Sequence, residues 1–151
     1  MKNEVIVVEK AYKFRMYPNK IQEEIINKTF GCCRFVYNRY LSKRIETYEN
    51  NKETFTYKQC SSDLTSLKKE LEWLKEPDKF ALQNALKDLE NAYKKFFKEK
   101  GGFPKFKSKK TNRFSYRTNF TNGNIEYCGK YIKLPKLGMV KIRDKQIPKG
   151  R

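Results

Sequence analysis

The stretch Ala11–Gln22, AYKFRMYPNKIQ, changes its period half-way along, and that change divides a strand from a helix. Ala11, Lys13 and Arg15 alternate with Tyr12, Phe14 and Met16, the two-residue period of a half-buried strand. Tyr17-Pro18-Asn19 ends it. Asn19 followed by Gln22 has the spacing of a capping box, so a helix is expected from about Lys20. Upstream, Glu4–Met16 is rich in Val, Ile, Tyr and Phe and reads as one N-terminal strand. Downstream, Ile21, Ile25, Phe30, Cys33, Tyr37, Tyr40, Leu41 and Tyr48 recur at helical spacing as far as a stop at Asn50-Asn51. Gly31 either bends or splits this helix.

A second helix is expected from Tyr57 to about Lys75, with Leu64, Leu67, Leu71 and Leu74 as its apolar stripe and Trp73 in the core beside them. Pro77 breaks it. Asp78 starts a third helix, with Leu82, Leu86, Leu89, Tyr93 and Phe96 or Phe97 facing in, closed by Gly101-Gly102. Short strands follow at Arg113–Phe120, Asn124–Tyr127, Tyr131–Leu134 and Met139–Ile142, with turns at Asn122-Gly123, Cys128-Gly129 and 135–138. The class is therefore α+β: an N-terminal strand, a three-helix insert, then a basic antiparallel β region. One strand cannot hide both its faces, so the N-terminal strand is expected to pair with the later ones in one sheet or barrel.

Several chemistries are excluded by composition. The 151 residues hold no histidine, which removes His-dependent nucleophile systems and metal sites. Cys32, Cys33, Cys60 and Cys128 form no Cys-x-x-Cys pair and read as reduced, small buried residues. No run approaches the length of a membrane span, and Val5–Val8 is too short for a secretory signal, so the expected location is the cytoplasm. The acids lie mostly on the helices among lysines, which gives paired-carboxylate catalysis little support. Gly101-Gly102 lacks the Lys-Ser/Thr of a phosphate-cradling loop.

The net charge is +18, and it is unevenly placed. From Lys100 to Arg151 there are fifteen Lys/Arg against Glu126 and Asp144. Aromatic residues interleave with them: Phe103, Phe106, Phe114, Tyr116, Phe120, Tyr127 and Tyr131. Cations release counterions from phosphates and aromatic faces stack on bases, so nucleic acid is the expected partner, and not a membrane. The phosphate-binding candidates are Lys105, Lys107, Lys109, Lys110, Arg113 and Arg117, with Lys130, Lys133, Lys136, Lys141 and Arg143. Phe103 and Phe106, beside Pro104, read equally well as barrel core.

Five stretches, in order, resemble the N-terminal part of TnpB: Phe30–Asn38 (FGCCRFVYN), Asp78–Phe97 (DKFALQNALKDLENAYKKFF), Gly102–Lys110 (GFPKFKSKK), Ser115–Ile125 (SYRTNFTNGNI) and Leu134–Lys141 (LPKLGMVK). TnpB is an RNA-guided DNA endonuclease of prokaryotic insertion sequences, related to type V CRISPR effectors. Its N-terminal helices carry a helix-turn-helix label in older usage. The resemblance runs from about Val5 to Gly150. It implies that residues 1–17 are the first strand of a wedge barrel, 18–100 a helical recognition lobe, and 101–151 a basic β wedge region, the barrel being incomplete. It also implies duplex DNA and a guide RNA as partners, in a prokaryotic cytoplasm at the nucleoid.

In that family a short motif beside the target is read as duplex by the helical lobe and the wedge. The matching positions are Tyr57, Ser61, Lys79, Phe80, Gln83, Thr121 and Asn122. Tyr57/Ser61 and Lys79/Gln83 are i,i+4 pairs, each on one helix face. Gln and Asn can pair bidentately with adenine, Lys can donate to guanine or thymine, and Phe80 can pack on a thymine methyl. The sequence departs from the family at Arg151, ahead of the RuvC-type Asp-Glu-Asp site and the zinc ribbon. No catalytic residue, metal or cofactor is therefore expected in this chain, with Mg and Zn belonging to the missing part. The expected function is a nucleic-acid-binding module. The alternatives are half of a split endonuclease completed by a separate nuclease chain, or a remnant of a decayed element.

Overall fold

The computed structural model describes residues 4–7, 13–99, 101–108, 115–119 and 123–142, and these form two compact units. The first holds residues 1–30, 76–81 and 113–151; the second holds 31–75 and 82–112.

The first unit is built on a six-stranded sheet: β1 (Glu4–Val7), β2 (Lys13–Tyr17), β3 (Ser115–Arg117), β4 (Glu126–Cys128), β5 (Tyr131–Leu134) and β6 (Gly138–Ile142), in the order β3-β1-β2-β6-β5-β4. The N-terminal segment does pair with the later strands, as one strand's two exposed edges require. It is, however, two strands and not one. Glu4 pairs with Met16 and Val7 with Lys13, so the chain doubles back between them. A single strand over residues 4–16 would run roughly 40 Å, about twice the usual length. The β region is also not wholly antiparallel, because β3 lies parallel to β1, Ile6 opposite Tyr116. Among the described residues the sheet is open, with β3 and β4 at its edges.

Alternation sets the core of this unit. Ile132, Leu134, Val140 and Ile142 are buried while Tyr131, Lys133, Met139 and Lys141 are exposed. Gly129, in the two-residue β4–β5 turn, has φ +71°, a conformation that favours glycine. The first turns of helix α1 (Lys20–Asn51) bury Ile26 and Phe30. The capping box is made as the sequence spacing predicts: Asn19 Oδ1 accepts from Gln22 N at 2.8 Å and Gln22 Oε1 accepts from Asn19 N at 3.0 Å. Gln22 Nε2 then donates to the carbonyls of Leu137 and Met139, at 3.2 and 2.7 Å. One side chain thus starts the helix and ties it to the β5–β6 turn. Ile21 escapes this packing, at 71 % exposed, and so does Tyr48 near the other end of the helix.

In the second unit α1 continues unbroken through Gly31 and packs with α2 (Tyr57–Glu70) and α3 (Lys79–Glu99). Tyr40, Leu41, Leu64, Leu74, Leu82, Leu86 and Leu89 are its fully buried centre. Thr56 opens α2 with a second capping box, Thr56 Oγ1 accepting from Gln59 N and Gln59 Oε1 accepting from Thr56 N. This helix ends five residues earlier than its leucine stripe predicts. After Leu71 the chain tightens into a 3-10 turn, Glu72–Lys75, ahead of Pro77. The tightening keeps Leu74 buried but swings Trp73 out to 44 % exposure, edge-on to Phe35 at 5.0 Å. Cys32 and Cys60 are buried, whereas Cys128 lies exposed on β4, against the expectation of four buried thiols. Phe103 and Phe106 are exposed rather than core; the buried residue of that stretch is Pro104.

Two polar links cross this core. Tyr40 donates its hydroxyl to Asp63 Oδ2 at 2.6 Å; burial, then the Asp63 partner, raise its pKa far above the ordinary tyrosine value. Arg44, 6 % exposed, pairs with Glu90 at 2.6 Å and stacks 4.8 Å over Tyr93. Removing one partner of a buried pair strands the other charge, while replacing both partners by apolar residues strands nothing. Glu90→Ala should therefore cost about 2–4 kcal/mol in urea unfolding and the double change Arg44→Met/Glu90→Leu about 1 or less. Equal losses would show that Arg44 is solvated in the folded state.

Candidate nucleic-acid interface

In the second unit, Tyr57 opens α2, Ser61 lies one turn on, and Gln83 projects from α3. Tyr57 Oη donates to Gln83 Oε1 at 3.2 Å and Ser61 Oγ donates to the same oxygen at 3.4 Å. Three of the residues named from sequence are thus brought together. Burial raises the Tyr57 pKa, with smaller contributions from Cys60 and Glu90, so its hydroxyl stays a donor at neutral pH. Both lone pairs of the Gln83 carbonyl are engaged, and the rest of the amide's hydrogen-bonding capacity is its two Nε2 hydrogens. Gln83 is half-buried.

In the first unit, Lys79 is exposed at the first position of α3, and its Nζ lies 5.4 Å over the ring of half-buried Phe80. Asp78, 3 % exposed, stands immediately before them. Its Oδ1 accepts from Phe80 N at 3.0 Å, the bond that caps a helix N-terminus. Its Oδ2 accepts from the hydroxyl of Thr118, itself 1 % exposed and just past β3. Asn124 Nδ2 then donates to Asn119 O at 2.9 Å. Thr121 and Asn122 lie outside the described residues. Asp78 was legible as a helix start, but nothing in sequence points to a partner 40 residues away.

The cations divide. Lys105 and Lys107 are exposed in the second unit, and Lys107 Nζ sits 4.6 Å over Tyr37. Arg117 is half-buried on β3; Lys130, Lys133, Lys136 and Lys141 are exposed on or between β4, β5 and β6. Lys109, Lys110, Arg113 and Arg143 lie outside the described residues. Register adds what composition could not. Tyr17 and Tyr131 both stand opposite Lys141, and Lys133 stands opposite Met139. Tyr17, Tyr131, Lys133, Met139 and Lys141 therefore share one exposed face of the sheet. Among the described residues no group of three or more Cys, Asp or Glu could hold a metal ion, and no helix is long and apolar enough to cross a membrane.

Known proteins carry the same sequence pattern. The family model described as "Helix-turn-helix domain", of the IS605 OrfB type, matches residues 7–53. InsQ of Escherichia coli (strain K12), provisionally named an RNA-guided DNA endonuclease, is 36 % identical over 137 residues, 89 % of this chain. A Streptomyces pristinaespiralis protein with the same provisional naming is 38 % identical over 125 residues, 78 % of this chain. The virulence protein VsdF of Salmonella dublin is 33 % identical over 111 residues, 66 % of this chain and 93 % of its own length.

The chain belongs to the TnpB family. It corresponds to the N-terminal part and spans about a third of the length of InsQ and of the Streptomyces relative, 33 % and 31 %. Within the matched TnpB segment, 7–53, the described elements are β2 and one continuous helix, α1.

Burial raises the Asp78 pKa above its ordinary 3.8, against the bonds from Thr118 and Phe80 and the nearby charges of Lys136 and Lys79. Folding therefore favours the neutral carboxyl. That contribution is complete below pH 3.8 and is lost as pH rises through the folded-state value. Asp78→Ala should cost about 2–3 kcal/mol, the lost cap plus an orphaned Thr118 hydroxyl. Asp78→Asn keeps both bonds and should cost about 1 or less. As pH falls from 7 to 4, wild type should gain on Asp78→Asn in thermal melts. A gap that stays constant with pH would contradict the raised pKa.

Proposed function

We propose that this chain is the duplex-reading module of a TnpB-type, guide-directed nuclease system. It binds DNA and reads a short motif beside the target, and the cutting is done by other residues than these. The observation that carries the proposal is the engagement of Gln83 Oε1 by Tyr57 and Ser61. The two hydroxyls hold α2 against α3 and at the same time set the direction of the Gln83 amide. A reading glutamine gains pre-organisation, since less side-chain entropy is lost on binding.

The same bonds sharpen what is read. A free glutamine offers an acceptor and a donor and matches adenine bidentately. Gln83 offers its Nε2 donors alone, which match the acceptors guanine O6 and N7, adenine N7 or thymine O4 in the major groove. Lys79 adds a second donor four residues earlier on α3, and Phe80 an apolar face for a thymine methyl. Thr121 and Asn122 are assigned to the same task. The lysines of the sheet face, with Lys105 and Lys107, hold phosphates of DNA or guide RNA without reading sequence. The wedge-barrel and recognition-lobe assignments of 1–17 and 101–151, and of 18–100, belong to this reading, as does a separate nuclease part that holds the metals. The continuous α1 supports placing the reading residues on α2 and α3, because residues 7–53 contain no second helix among the described residues.

Selection from a random-sequence duplex library tests this directly. The wild-type chain should enrich one short motif. Gln83→Ala should weaken binding to the selected duplex by about 1–3 kcal/mol and to scrambled duplex by far less. Tyr57→Phe, which frees one lone pair of Gln83, should relax the choice at a single position. Equal losses on both duplexes would reduce Gln83 to a backbone contact.

A further inference from the structure

Lys79 and Phe80, assigned above to duplex reading, hold the first two positions of α3. That is an unpromising place for a reader. The opening turn of a helix has N–H groups without intrahelical partners, and helix ends fray. Lysine adds a flexible four-carbon stem. Contacts to base edges need donors held at hydrogen-bond distance, so a reader here requires a turn that is kept still. The residues that keep it still belong to the first unit, as do Lys79 and Phe80 themselves.

Pro77 and Asp78 are buried immediately before the helix, and Ala81 N donates to Asp78 O at 3.0 Å. Asp78 Oδ1 accepts from Phe80 N, which already completes a helix cap. A cap needs one side-chain oxygen and no burial. Asp78 is nevertheless buried, and its second oxygen is engaged by Thr118. Thr118 continues the inward row of β3, in which Tyr116 and Thr118 are buried and Arg117 between them is half-buried. A fully buried position of this kind ordinarily takes an apolar side chain; valine has the shape of threonine and lacks only the hydroxyl. Here the hydroxyl donates to Asp78. At 1 % exposure, Thr118 cannot itself touch a duplex. The turn it secures carries half-buried Phe80, and Lys79 Nζ rests over that ring.

We infer that Thr118 is a specificity-determining residue that never meets DNA: its hydroxyl, through Asp78, holds the first turn of α3 so that Lys79 and Phe80 meet base edges in one geometry. The inference rests on the proposed reading by those two residues and adds a positioning residue 40 positions away, beside another element. A phosphate contact tolerates a mobile lysine, because charge attraction is undemanding of direction; a base-edge contact does not. The mark of a lost positioning residue is therefore lost discrimination between sequences, with binding to unselected DNA kept.

Thr118→Val alone leaves Asp78 Oδ2 buried without a donor and confounds position with stability. Asp78→Ser/Thr118→Val avoids this. Serine keeps the cap with its single oxygen, valine fills the space of threonine, and no buried polar group is stranded. Competition binding of the 151-residue chain is measured on the duplex selected from the random library and on its scramble. The double variant should bind the selected duplex about tenfold more weakly and the scramble within twofold of wild type. Thr118→Ser and Asp78→Asn, which keep both bonds, should retain wild-type discrimination. On a Lys79→Ala/Phe80→Ala background the double variant should cost nothing further, whereas a general loss of stability would add there. Discrimination kept by the double variant, an equal loss on the two duplexes, or a loss that adds on that background would overturn the inference and leave the reading standing. No enriched motif, or discrimination untouched by Lys79→Ala/Phe80→Ala alone, would overturn the reading by these residues and this inference with it.

Discussion

Asp78 is a carboxyl group taken out of water between two elements that must meet, and the functional half of the sheet unit depends on it. Removing a carboxylate from water is expensive unless its oxygens find donors. Both oxygens do: one takes the N–H of Phe80 in the first turn of α3, the other the hydroxyl of Thr118. The bonds set the start of α3 against the end of β3. They thereby fix Lys79 and Phe80 beside Thr118, next to which Asn119 accepts from Asn124. The energetic cost appears as the raised pKa of Asp78. A neutral asparagine would hold the same geometry at a cost of about 1 kcal/mol or less, and that comparison distinguishes a latch from a charge retained for binding.

The helical unit solves its own version of the problem. Its leucines supply burial, which is non-directional and would tolerate helices sliding on one another. Direction comes from the polar links. Tyr40–Asp63 and Arg44–Glu90 fix α1 against α2 and α3, and Tyr57 and Ser61 on α2 reach Gln83 on α3. The hydroxyls take the acceptor half of an amide, and what remains is its donor half. A helix pair held in register is thereby also a pre-set hydrogen-bond donor. If Gln83 reads DNA as proposed, a change that shifts α2 along α3 alters what is read.

Local signals were legible in sequence and distant pairings were not. The change of period at Tyr17, the Asn19/Gln22 box and the leucine stripe each involve residues within a few positions of one another, and each element formed near where its signal stood. The strand Tyr131–Leu134 fell on its predicted bounds for the same reason. Gln22 reaching the β5–β6 turn, Asp78 reaching Thr118 and β1 lying parallel to β3 span large separations, and no periodicity records them. Trp73 misled because helical spacing was extended past Leu71, where the chain had already tightened ahead of Pro77. Of the candidate site, residue types and spacing pointed to nucleic acid, and family resemblance named the reading positions. The polarity of Gln83 needed coordinates.

The central claim is that a pre-set donor on α3 touches base edges. Nitrogen-15 NMR observes the side-chain amide of a glutamine as its own pair of signals, so Gln83 can report its own contact. Titrating the labelled chain with its selected duplex should shift and slow the exchange of the Gln83 Nε2 hydrogens, together with the Lys79 and Phe80 amides. Shifts confined to the exposed lysines of the sheet and of residues 105–107, with the Gln83 amide unchanged, would contradict the account and leave a module that grips phosphates without reading bases.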